Sequence, residues 1–96
     1  MIKATAESVL IKWMVFKVYE GVNDRLFEKC EADPENEELE VQSQDAYERM
    51  WESLDKFAAE LENFTDGQVD VKTARRMVMC PKYRGRLEDL MKRIAA

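Results

Sequence analysis

The sequence predicts an all-α fold: a small helical bundle of about four helices, two long and two short, forming one domain over residues 1–96. Three observations carry this expectation. Apolar residues recur at steps of three and four over long stretches, capping residues precede those stretches, and the only two prolines, Pro34 and Pro81, fall between them. A chain of 96 residues supports a single core, and 46% apolar with 9% aromatic residues argues for folding despite 36% charged residues.

The first helix is capped by Thr5 or Ser8 and runs to about Lys29, with Val9, Leu10, Trp13, Met14, Phe16, Val22, Leu26 and Phe27 at helical spacing. Its first half is unusual. Nine of the eleven residues 9–19 are apolar, and Lys12 and Lys17 stand five positions apart, about 140° around a helix, so no polar face survives. Such a segment is either a helix packed on two sides or a buried strand, because Val, Ile, Trp, Phe and Tyr also suit strands. The pattern continues beyond Gly21 with no other turn signal, which favours the helix.

Residues 31–41 carry Glu31, Asp33, Glu35, Glu37, Glu38 and Glu40 around Pro34 and predict an exposed acidic loop, kept extended by self-repulsion. A second long helix follows, capped by Ser43 or Asp45. Tyr47, Met50, Trp51, Leu54, Phe57, Ala58, Leu61 and Phe64 form one apolar stripe, and Gly67 is placed for a left-handed turn after it. Asp70 caps a third helix to about Met79, with Val71, Ala74, Met77 and Val78 inward. Cys80-Pro81 ends it, since proline disfavours helix at the preceding residue, and Pro81 opens a fourth with Tyr83, Leu87, Leu90, Met91 and Ile94 inward.

Residues 9–19 carry more apolar surface than three partner helices absorb. A homodimer through the first helix is therefore expected, with Val9, Trp13 and Phe16 at its interface. The apolar run is too short and too interrupted by lysine for a membrane span or a signal peptide, so the chain reads as cytoplasmic. In that compartment Cys30 and Cys80 are expected as free thiols.

The chain has no histidine, which excludes Cys/His zinc sites within one chain, Ser-His and Cys-His pairs, and imidazole acid–base chemistry. Glu48, Glu52 and Asp55 lie at i, i+4 and i+7 and so share a helix face, where carboxylates can gather around a hard cation. Any amphipathic helix with an acidic outside produces that spacing, and no second cluster completes a shell, so no metal and no cofactor is expected. The residues also lack a calcium-loop motif and a glycine-rich phosphate loop. The aromatic and methionine side chains are needed for the core before any binding role. Nothing patterned suggests an enzyme.

Charge is what remains. Residues 31–70 hold fourteen carboxylates against Arg49 and Lys56, whereas residues 71–96 hold eight basic residues against Glu88 and Asp89, within a net charge of −5. The acidic face of the second helix, Glu48, Glu52, Asp55 and Glu62, is expected to bind a basic surface on a partner protein, such as one that handles nucleic acid. The expected function is a noncatalytic adaptor or inhibitor; a virus- or mobile-element-encoded inhibitor of host defence is one specific form, by class analogy. The alternative is a DNA- or RNA-binding regulator using Arg75, Arg76, Lys82, Arg84 and Arg86, on two short helices joined by a tight break. Against it, the chain is acidic as a whole, which opposes counterion-driven binding, and Cys80-Pro81 matches a helix-turn-helix turn poorly.

Overall fold

A computed structural model describes residues 3–96. It contains four helices in a small all-α bundle: α1 (Ala6–Ala32), α2 (Glu37–Phe64), α3 (Val71–Met79) and α4 (Pro81–Ala95). Residues 9–19 are helical, with no strand among the described residues.

Thr5 and Ser8 together form the start of α1. The Ser8 amide donates to the Thr5 hydroxyl at 3.1 Å and the Thr5 amide donates back to the Ser8 hydroxyl at 2.8 Å, so two amides at the helix start are satisfied reciprocally. Asp70 caps α3 by accepting from the Thr73 amide at 2.7 Å, and Pro81 occupies the first position of α4, where no amide hydrogen is needed. After α2 the chain turns through Asp66 (φ 55°) and Gly67 (φ 85°), the left-handed region glycine enters at little cost.

The expected acidic loop 31–41 is corrected. The connection between α1 and α2 spans only residues 33–36, and α2 begins at Glu37, ahead of Ser43 and Asp45. Asn36 accepts from the Leu39 amide at 3.2 Å as the cap. Glu37, Glu38 and Glu40 then lie in the first turn, at the positive end of the helix dipole, where their charge favours the helix they were expected to prevent.

The short connection makes α1 and α2 an antiparallel hairpin. Contacts run in opposite order along the two helices: the Ala4 amide donates to Asn63 at 2.6 Å, Ser8 donates to Glu60 at 3.0 Å, the Trp13 and Phe57 rings lie 4.9 Å apart, and the Cys30 thiol donates to the Leu39 carbonyl at 3.4 Å. Helix α3 returns along α2, and α4 along α1. The core is formed by Val9, Trp13 and Phe16 of α1, Met50, Leu54, Phe57, Ala58 and Leu61 of α2, Ala74 and Val78 of α3, and Leu87 and Met91 of α4. It reaches no further than Tyr19 on α1 and begins only at Met50 on α2.

Beyond that core the hairpin continues as a two-helix arm, residues 21–32 against 37–49, about 18 Å long at 1.5 Å per residue. The arm accounts for the elongated shape, 47 × 30 × 23 Å. Tyr47 follows the period of the core stripe but belongs to the arm and is exposed, as are Phe27 and Val41.

The α3 cap yields a pH prediction. Hydrogen bonds from the Thr73 side chain and amide hold the Asp70 carboxyl below its ordinary value of 3.8. Its stabilising effect is present above that ordinary value and is lost as pH falls through the lower, folded-state value. Asp70→Asn keeps a cap acceptor but cannot titrate. In acid denaturation followed by circular dichroism, wild type should lose stability relative to Asp70→Asn below about pH 4; parallel curves would refute the cap's role.

Candidate functional site

The four carboxylates predicted as one acidic face meet different neighbours. Glu62, half-buried at the end of α2, accepts the Val71 amide at 2.8 Å and ties the start of α3 to α2. Asp55 pairs with Arg75 at 3.3 Å, and the Arg75 guanidinium lies 5.5 Å from the centre of the Trp51 ring. These two carboxylates hold α3 in place. Glu48 and Glu52 are exposed and meet no basic side chain within ion-pair distance among the described residues; Glu48 accepts only from Gln44, at 3.3 Å.

Glu48 and Glu52 line a shallow recess between the helices with Val15, Tyr19, Asp45 and Arg49. Arg49 stands here 3.0 Å from Asp45, and its pKa is raised, first by a hydrogen bond to the Tyr19 hydroxyl and then by the Asp45 charge. A fixed cation therefore sits inside the acidic row. Along the sequence from Glu31 to Glu48 there are eight carboxylates and no basic residue, while Arg25 and Lys29 are exposed on the α1 side of the arm. Among the described residues no group of three or more His, Cys, Asp or Glu side chains is arranged to hold a metal ion.

The five residues expected to contact nucleic acid, among the eight basic residues of α3 and α4, do not form one surface. Arg84 is turned inward, donating to both Glu20 oxygens at 2.8 and 2.9 Å and to the Val78 carbonyl at 3.2 Å, with its guanidinium 5.1 Å from the Trp13 ring centre. The Glu20 hydrogen bonds raise its pKa against the opposing effect of burial. Arg75 is directed at α2. Lys82 and Arg86 flank the Tyr83 ring at 5.7 and 5.8 Å, and Arg76 is exposed on α3. Three of the five are left to reach a phosphate backbone.

The expected dimer residues are also corrected. Val9, Trp13 and Phe16 are buried inside the protomer against α2 and α4 and offer nothing to a second chain. The surplus apolar surface of α1 lies on its other side, where Ile11, Met14, Val15 and Val18 are 52%, 65%, 43% and 64% exposed. The signal for it was the missing polar face in residues 9–19. Exposed aliphatic groups clustered in this way are the kind of surface that proteins reserve for contacts.

Compared with models of protein families, with curated proteins and with solved structures, the chain matches none. No described helix is long and apolar enough to cross a membrane.

Proposed function

We propose that this protein is a noncatalytic binding module, an acidic helical adaptor or inhibitor that docks on a basic surface of a partner protein in the cytoplasm. One observation carries the reading: Asp55 and Glu62 are taken up by partners within the fold and Asp45 by Arg49, whereas Glu31, Glu37, Glu38, Glu40, Glu48 and Glu52 are exposed with no ion-pair partner among the described residues. An acidic rod of two helices complements the kind of groove that proteins use to hold phosphates, which suits a nucleic-acid-handling partner and an inhibitor that competes with its nucleic acid. Exposed Phe27 and Tyr47 on the same arm supply aromatic anchors of the kind that dominate binding energy.

The test is capture of binding proteins from host lysate by the tagged chain, with nuclease present, beside the Glu48→Lys/Glu52→Lys variant. A stoichiometric protein retained by wild type should be lost or weakened at least about tenfold by the double reversal, with helicity unchanged, because like charges then face each other across the contact. A retained protein indifferent to the reversal contradicts the acidic face as the site. Salt-sensitive binding of the purified chain to duplex DNA, abolished by Arg76→Ala/Lys82→Ala/Arg86→Ala, would support the nucleic-acid reading instead.

A further inference from the structure

At about 100° per residue, exposed Ile11, Val15 and Val18 and half-buried Val22 fall on one line along α1, with Met14 beside it. This ridge lies on the opposite side of the helix from buried Val9, Trp13 and Phe16. Lys12 and Lys17 do not interrupt it: Lys12 borders a recess with Lys56 and Asn63 of α2, and Lys17 reaches towards Glu88 of α4 at 3.9 Å. The ridge is therefore an uncharged strip about 16 Å long on the one side of α1 that the fold leaves open.

Its two ends carry opposite charge. Glu7 lies on the same side one turn before Ile11, and Arg25 one turn after Val22. Neither has an ion-pair partner within the protomer among the described residues.

We infer that this ridge is the docking surface for a second copy of the chain, the two α1 helices packing antiparallel about a twofold axis near residues 16 and 17. A twofold interface must be complementary to itself, and this strip is. Antiparallel pairing sets Val15 against Val18 of the other copy, Ile11 against Val22, and Glu7 beside Arg25 at both ends. Parallel pairing would oppose Glu7 to Glu7 and Arg25 to Arg25, so the charges select the antiparallel arrangement. Helix α4 flanks α1 away from the strip, and α2 borders it at Val15, which shares an open recess with Glu48, Arg49 and Glu52.

Sedimentation equilibrium of the full chain tests this. The mass should rise with concentration from 11.3 kDa towards twice that value. Val18→Glu should hold it at the monomer mass with unchanged circular dichroism, since that side chain is 64% exposed in the protomer. Glu7→Arg and Arg25→Glu should each weaken association about fivefold or more, and the double swap should restore it to within about twofold, the signature of a direct cross-dimer pair. Monomer mass at every concentration overturns the proposal, as does a dimer that tolerates Val18→Glu; a double swap no better than the single ones overturns the antiparallel register.

Discussion

Trp13→Ala should lower the unfolding free energy by about 3–5 kcal/mol, the range for deleting a large buried aromatic side chain. Trp13 is only 7% exposed and is where three helices meet: its ring stacks on Phe16 at 5.6 Å, meets Phe57 of α2 at 4.9 Å and carries Arg84 of α4 on its face at 5.1 Å. Small domains are stable by only about 5–15 kcal/mol in total, so the loss is a large share of what holds the chain folded. Urea titration followed by tryptophan fluorescence of Trp51 and by circular dichroism measures it. Trp13→Phe, which keeps an aromatic ring against Phe57, should lose much less. A loss below about 1 kcal/mol for Trp13→Ala would mean that the hairpin and the α3–α4 pair do not share a core through this residue.

The caps were legible because their chemistry is local. Thr5 and Ser8, named as alternatives, are the two halves of one capping box, and Asp70, Pro81 and Gly67 stand where their backbone preferences place them. The start of α2 was not legible, because carboxylates that repel one another in a loop become favourable once Asn36 begins a helix, and composition alone cannot tell these cases apart. The inward face of α1 was hidden for another reason. Residues 9–19 are apolar on both sides, so periodicity marks two faces and only packing on Phe57, Leu87 and Met91 selects one. Tyr47 shows the converse: the stripe of α2 continues past the point where α3 ends, and the core does not.

The same distinction governs the candidate site. Spacing alone puts Glu48, Glu52, Asp55 and Glu62 on the outside of α2. Which of them remain available depends on where α3 lands, because the Val71 amide and Arg75 arrive from elsewhere in the chain. The opposition of acidic and basic segments is thus partly internal structure near the core and partly free surface on the arm. A surface pair such as Asp55–Arg75 contributes only about 0.2–1 kcal/mol, so it orients α3 more than it stabilises it.

Arg84 is the exception to that weak-pair rule, and Arg84→Met should cost about 2–3 kcal/mol, in the range for hydrogen bonds to charged groups. Its side chain is 22% exposed and that of Glu20 26%, and the substitution removes two short bonds to Glu20, one to the Val78 carbonyl and a longer one to Glu88 at 3.4 Å. Methionine retains most of the stem packing on Trp13 and Phe16, so the loss reports mainly the stranded Glu20 carboxylate and Val78 carbonyl. Replacing both partners separates these contributions. Glu20→Leu/Arg84→Met removes the carboxylate that the single change strands, and it should recover at least about half of the stability lost in Arg84→Met, since even a fully buried pair exchanged for apolar groups is often close to neutral and this one is only partly buried. The coupling energy from the four-way cycle, measured by urea denaturation, should be about 1–2 kcal/mol. A coupling near zero would show that Arg84 acts through Trp13 and the end of α3, with Glu20 incidental. A large coupling means that this one arginine registers α4 against α1, which explains why the most enclosed cation of the basic segment is the one least able to meet a nucleic acid.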